Sequence, residues 1–356
     1  MKRILFLALM VIPVLATATY LDPLNAYDYA RSGVKGLYLA GGLEYGMDNA
    51  LYNKDSEKRE PLDPNYDFKA NNIWVPIKIG YSFNEMFSAG IVIPLYMPSS
   101  ETTTSNEEGN AVTVKQTNTG LANPWIWGKG VFALGGGFLL GPRLGIKIPV
   151  GAYTIEDQAK DLFDDPQADE KALTGDKSLA IDIAALFACR PESCPFRLDG
   201  QLAVRYSMEG KYSWDETWYP TTGDSYDVSV EYTDTPGMTL NFKAMPGIAF
   251  GSKYEFETYL IADYYRLLTD TKVKETITAD TWVTTTEDDS EGGMLFSVGL
   301  KQDWAPDANN TVELKFLYDV MVAGGEFDPS IGGDNTWYTP GGMAVGLGYF
   351  GYIPMP

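Results

Sequence analysis

From Phe138 to Val150 the chain alternates residue by residue. Phe138, Leu140, Pro142, Leu144, Ile146, Ile148 and Val150 share one face, while Leu139, Gly141, Arg143, Gly145, Lys147 and Pro149 share the other. A repeat of two is the signature of an extended strand with unlike faces. The pattern recurs after Pro195, where Phe196, Leu198, Leu202, Val204 and Tyr206 oppose Arg197, Asp199, Gln201 and Arg205. It recurs again where Met294, Phe296, Val298 and Leu300 oppose Ser297, Gly299, Lys301 and Asp303. In the last third, Val312, Leu314, Phe316, Tyr318, Val320 and Val322 oppose Glu313, Lys315 and Asp319. Twelve such segments are predicted, at 34–46, 70–83, 87–97, 121–133, 136–150, 176–188, 196–209, 236–250, 253–267, 292–304, 310–323 and 342–353. Soluble sheets favour strands of about 5–6 residues. Tilted strands that cross a bilayer need about 9–11, and these segments reach that length.

The connections are of two kinds, and they alternate. Asn84 to Met86, Leu134-Gly135, Cys189 to Pro195, Gly251-Ser252 and Ala305 to Asn309 are short. The stretches 47–69, 98–120, 151–175, 210–235, 268–291 and 324–341 are long and polar. An antiparallel meander with short turns at one end and long loops at the other is the pattern of an outer-membrane barrel, its long loops outside the cell. Such a barrel satisfies every backbone N–H and C=O between strands and leaves no edge for lipid to strip. Twelve strands place both termini at the short-turn, periplasmic end; a miscount by one hairpin would give ten or fourteen. Charge follows the same division, because the six long stretches carry 32 acidic and 10 basic residues. A secreted two-sheet sandwich would also alternate, but it has no reason to sort its charge in this way.

Residues 1–18 form an export leader: Met1-Lys2-Arg3, an apolar run from Ile4 to Leu15, and a small-x-small site at Ala16-Thr17-Ala18. The run is shorter than the roughly 20 apolar residues a membrane helix requires. Residues 19–33 are then a short periplasmic segment, and 34–353 the barrel. The formal charge of −21 argues against nucleic acid as a partner. With no histidine in the chain, Ser-His-Asp hydrolysis and histidine-ligated zinc are absent from the repertoire. No catalytic residue, metal site or cofactor is predicted. Asp161, Asp164, Asp165, Asp169 and Glu170 do not follow the spacing of a calcium loop and read as a solvated acidic stretch.

The inward parity collects Arg143, Lys147, Asp182, Arg197, Asp199, Arg205, Lys301, Asp303, Glu313, Lys315 and Asp319. These either pair across strands and fill the lumen or form a charged constriction that selects solutes. Strands five and seven place Arg143, Lys147, Arg197 and Arg205 on a basic wall. Asp303, Glu313 and Asp319 lie about half-way round the circuit, so a transverse field is expected. Trp125 and Trp127 share the parity of Lys129, and they either contact solute inside or belong to the interfacial girdle. Trp74 and Trp304 read as girdle or as lumen filler. Cys189 and Cys194, the only cysteines, flank a periplasmic turn and are expected to form a disulfide in that oxidising compartment.

Gly120-Leu121-Ala122-Asn123-Pro124-Trp125-Ile126-Trp127-Gly128-Lys129, together with Leu144-Gly145-Ile146-Lys147-Ile148-Pro149-Val150-Gly151, resembles the central hairpin of the outer-membrane transporter family named for the meta-pathway of phenol degradation. Asn123 stands where that family has an acidic residue before the proline. The chain also ends Ile353-Pro354-Met355-Pro356 rather than on an aromatic residue. The resemblance implies passive passage of small hydrophobic or aromatic solutes, with outer-membrane lipid and the solute as the partners. The alternative is a structural or adhesive barrel acting through its acidic loops.

Overall fold

The computed structural model describes residues 35–52, 55, 67–105, 111–157, 171–218, 226–251, 255–280, 282–307, 309–327, 336–337 and 339–355. The expected leader at 1–18, the segment 19–33 and the acidic cluster from Asp161 to Glu170 lie outside these residues. In chain order the strands are β1 (Gly36–Tyr52), β2 (Asp67–Ser82), β3 (Phe87–Ser105), β4 (Ala111–Thr117), β5 (Gly120–Leu121), β6 (Trp125–Gly130) and β7 (Phe132–Gly135). Then come β8 (Phe138–Lys147), β9 (Ala180–Cys189), β10 (Phe196–Ser207), β11 (Gly210–Trp218), β12 (Tyr226–Thr235) and β13 (Met238–Phe250). The last are β14 (Phe256–Leu267), β15 (Thr271–Ala279), β16 (Trp282–Asp307), β17 (Asn310–Phe327), β18 (Thr336–Trp337) and β19 (Thr339–Pro354).

Twelve of these close a ring in the order β1, β2, β3, β6, β8, β9, β10, β13, β14, β16, β17, β19 and back to β1. Each neighbour pair is antiparallel. The seam between β1 and β19 runs from Gly36↔Pro354 to Tyr52↔Thr339, so the first and last strands leave no open edge. Alternation decides what each face meets. Leu144, Val298, Leu300 and Leu314 are exposed on the outside, whereas Arg143, Ser297, Lys301 and Glu313 are buried inside. An apolar outer row around a polar interior is the arrangement a bilayer selects. Trp304 joins the outer row and Trp74 the interior.

Three departures from the expected strands have local causes. In β17, Phe296 pairs with Met321 but Ser297 pairs with Asp319, so Val320 is an extra residue. This bulge reverses the parity, and Val322, expected on the lipid side, is buried inside. The expected strand 121–133 is interrupted at Asn123-Pro124, where proline cannot donate to a ladder. The Asn123 side chain takes over: its Oδ1 accepts from Gly151 N at 2.6 Å, and its Nδ2 donates to Asp176 O at 2.9 Å. Four of the long stretches expected as loops contain strands, the last only the two-residue β18. β4 extends β3 beyond the wall, and β11, β12, β15 and the outer half of β16 form one continuous sheet. At 26 residues β16 is far longer than any membrane crossing needs, and this crown therefore stands outside the bilayer.

The crown has its own core. Tyr212, Trp214, Val228, Val230, Tyr232 and Ile277 pack with Tyr153, Ile155 and Leu173 from the connection between β8 and β9. That connection thus folds over the sheet, and Tyr212 Oη accepts from Lys177 N at 3.0 Å. At the opposite end the turns are tight. Asn84 Oδ1 accepts from Met86 N and Phe87 N at 2.8 and 2.9 Å, and Asp307 Oδ1 accepts from Asn309 N at 2.8 Å.

Contrary to the expected disulfide, Cys189 and Cys194 are both free thiols. A bridge needs Cβ vectors aimed at each other, which closeness in sequence does not ensure. Cys189 is buried within the ladder opposite Phe138 and Leu198. The turn is held instead by arginines: Arg197 Nη1 donates to the carbonyl of Cys194 at 3.2 Å, and Arg190 reaches into the barrel.

Candidate functional site

The lumen has two chemically distinct walls. One is made by β8 to β17 and is a lattice of ion pairs. Arg143 Nη2 donates to Asp182 Oδ1 at 2.8 Å, while Arg205 Nη2 approaches Asp182 Oδ2 at 3.3 Å. Lys147 Nζ lies 2.7 Å from Asp176 Oδ2, Lys243 Nζ 2.7 Å from Asp263 Oδ2, and Arg197 Nε 2.8 Å from Glu257 Oε1. Lys301 Nζ meets Asp303 at 2.9 Å and Glu313 at 3.5 Å, and Lys315 pairs with Glu44. Asp319 accepts from Ser297 Oγ at 2.7 Å and from Gly342 N at 2.7 Å.

The registers set which pairs form: Arg205 lies directly opposite Asp182 and Lys243 directly opposite Asp263, whereas between β16 and β17 the pairs run diagonally. Asp303 lies directly opposite Glu313, and Lys301 directly opposite Lys315. Like charges in register repel, so Lys301 and Lys315 turn to carboxylates that are not directly opposite them. The expected separation into basic and acidic walls is therefore not what the chain builds. Arg143, Lys147, Arg197 and Arg205 each have a carboxylate at hand from Asp182, Asp176 or Glu257. The long-range field gives way to short local dipoles, since Coulomb energy at low dielectric favours the nearest partner.

The other wall, made by β19, β1, β2, β3 and β6, is aromatic. Tyr38, Val92, Trp125, Trp127, Phe350 and Tyr352 form one buried cluster. Trp125 and Trp127 are thus interior residues, with Ile126 on the outer face between them. Tyr38 meets Trp127, Phe350 and Tyr352 edge to face, with centroids 5.3–5.5 Å apart, a favoured arrangement of ring quadrupoles. Toward the crown, Trp74 and Tyr96 repeat this contact at 5.1 Å, and Tyr96 Oη donates to Asn72 Oδ1 at 2.8 Å. Cations decorate the rings. Lys78 Nζ stands 4.4 Å from the Trp127 centroid, and Arg205 Cζ stands 4.5 Å from that of Trp125. Both distances are in the range of cation–π attraction.

At the periplasmic end, Arg190 enters from the turn between β9 and β10. Its Nη1 donates to both oxygens of Glu257 at 3.0 and 2.8 Å, and its Nη2 to Asp199 and, at 3.0 Å, to Tyr259 Oη. Asp199 and Arg197 therefore belong to one network at that end. Sequence alternation did not single out Lys78, Glu257 or Arg190. A signal existed for Lys78, because Ile73, Val75, Ile77 and Ile79 alternate with Trp74, Pro76, Lys78 and Gly80. None existed for Arg190, which lies in a turn.

Two glycines allow the close approaches within the lumen. A Cβ at Gly80 would lie 2.9 Å from Trp127 Cζ2, so the indole rests directly on β2. A Cβ at Gly346 would lie 2.7 Å from Lys315 Cε, so only glycine lets that side chain pass toward Glu44.

No protein family and no curated protein matches this sequence. Solved structures do share the architecture. An outer membrane channel from Pseudomonas putida F1 is similar over 92% of this chain and 99% of its own, with a TM-score of 0.54 and 10% identity. The toluene transporter TodX of P. putida is similar over 90% of this chain and 91% of its own, with a TM-score of 0.46 and 8% identity.

Proposed function

We propose that this barrel is a passive channel of the bacterial outer membrane for small solutes, with hydrophobic or aromatic compounds as the favoured class. The observation that carries the reading is the division of the lumen. A barrel that only anchored loops could fill its interior with ion pairs throughout, as β8 to β17 do. The chain instead lines one side with Tyr38, Trp74, Tyr96, Trp125, Trp127 and Phe350, and it spends glycines to seat the rings and side chains closely. That composition suits a planar apolar solute moving along a stacking surface. The ion-paired side holds the wall rigid and keeps a polar, hydrated boundary.

The fold resembles that of the P. putida outer membrane channel, and the local hairpin resembles the transporter family named for phenol degradation. Both support the location and the class of activity. Residues 1–18 serve in this reading as the export leader, and the partners are outer-membrane lipid and the solute. An adhesive role would place the function on the crown, whereas the specialised chemistry lies in the lumen. Purified protein in planar bilayers should give small, steady conductances, and liposomes carrying it should swell in arabinose. Absence of both would overturn the channel reading.

A further inference from the structure

Apolar side chains cross the lumen from one wall to the other. Trp74 and Tyr96, from β2 and β3, belong to one buried cluster with Ile261 of β14, Leu295 of β16, and Leu317 and Val322 of β17, and none of these is more than 9% exposed. In the ring, β3 stands five strands from β16, nearly opposite it. An inward side chain that lines an open pore meets water. Burial this complete therefore means that side chains fill the passage at this depth.

The registers show that the cluster bridges the lumen rather than following the wall. Ile261 and Leu317 are neighbours across Gly299, where a Cβ would lie 2.9 Å from Leu317 Cδ2; the missing side chain lets the two share one level. Leu295 faces Val322 four residues further along β16 toward the crown, roughly 13 Å at ~3.3 Å per residue. Apolar contact needs heavy atoms within about 4.5 Å, so the two pairs do not meet along the wall. Between them runs a polar row, Lys243, Asp263, Ser297 and Asp319, each directly opposite the next. Lys243 pairs with Asp263, and Asp319 accepts from Ser297 and Gly342 N. All four are buried although they point into the lumen. The rings of the facing wall, Trp74 and Tyr96, packed edge to face at 5.1 Å, join the two apolar levels and cover this row.

We propose that this apolar bridge, rather than the lattice of ion pairs, is the selective barrier of the channel, with Ile261, Leu295, Leu317 and the Trp74–Tyr96 pair as its specificity-determining residues. A hydrated ion or a sugar must give up water to enter the bridge, and the side chains there return no hydrogen bonds. A planar apolar solute loses little water. It parts the same side chains and replaces their contacts with its own. Discrimination then follows the hydration a solute must shed, while the ion pairs brace the wall around the bridge. This deepens the channel reading and rests on it for passage itself.

Planar-bilayer conductance and arabinose swelling of the full barrel test the barrier with substitutions that change polarity at nearly constant size. Leu317→Asn and Leu295→Asn lie on the two levels of the bridge, so one stays informative if the other fails to fold. Each should raise conductance about fivefold or more and speed swelling, because water can then fill the constriction. Leu317→Met, which stays apolar, should keep both within about twofold of the wild type. The heat-modifiable band on gels verifies that each variant is a folded barrel. Asparagine variants that conduct like the wild type would overturn the barrier and leave the channel standing. Leu317→Met opening the pore as widely as Leu317→Asn would also overturn it, since packing rather than polarity would then be the cause. Silence of the wild type and of the folded asparagine variants would overturn barrier and channel together. A wild type silent in both assays beside conducting variants would uphold the barrier and overturn passive passage.

Discussion

Asp182 shows how much one residue can hold in this lumen. It accepts from Arg143 on the preceding strand and from Arg205 on the following one, and it is almost wholly buried. Removing one member of a buried ion pair leaves charge in a medium that does not solvate it, at about 3–5 kcal/mol. Asp182→Asn should therefore cost about that much in guanidinium unfolding followed in micelles. Replacing both partners, as in Arg143→Met with Asp182→Leu, should cost less than the single change, because the stranded charge is gone. The same contrast separates the lumen from the crown. Lys274 and Glu287 pair at 2.6 Å on the exposed hairpin of β15 and β16, where water screens the charges, and Glu287→Gln should leave the unfolding midpoint unmoved. Parity in the sequence was enough to place Asp182, Arg143 and Arg205 on one face. It could not supply their partners, since pairing depends on register between strands far apart in the chain.

At the scale of elements, the crown is where sequence reading fell short. Val228, Val230 and Tyr232 alternate with Ser229, Glu231 and Thr233, which is a strand pattern. Its acidic residues mask that pattern, because charge is also the mark of a loop. The wall strands were legible for the opposite reason: lipid demands an uninterrupted apolar row, and few other contexts do. The base of the crown holds a titratable group that tests how it is attached. Asp234 ends β12 beside Gly210, and burial pushes its carboxyl up to about 7; Asp176 adds to the shift and Lys147 opposes it. A folded value above the unfolded one means the native state keeps a proton that the unfolded chain has lost. The stabilisation is complete below about pH 4 and disappears as pH rises through 7. Hydrogen exchange, corrected for its intrinsic pH dependence, should show β11 and β12 better protected at pH 5 than at pH 8. Asp234→Asn should abolish that difference and leave the wall strands unaffected.

The whole molecule is a surface of revolution with apolar atoms outside and charges within, the reverse of a soluble protein. Twelve strands, their short turns and the faces of most could be read from period two and loop length alone, because closing a barrel in lipid leaves little freedom in either; the facing of the strand with Trp125 and Trp127 could not. The bulge at Val320, the break at Asn123-Pro124 and the aromatic side of the lumen were not legible, since each depends on what lies across the ring. This inversion yields the sharpest test of the architecture. Leu144 is 49% exposed on the outer face, and its neighbour Arg143 is buried on the inner one, so adjacent residues meet opposite solvents. Leu144→Arg and Val298→Arg place a guanidinium in hydrocarbon and should each cost about 2–4 kcal/mol if they lie near the midplane. The penalty should fall toward zero for Phe138→Arg, nearer the turn, where the side chain can reach the headgroups. Unfolding in bilayers of defined thickness measures this depth profile. A soluble sheet would give no such gradient, because water reaches every exposed position equally; a graded cost from Phe138 to Leu144 therefore reports the membrane itself.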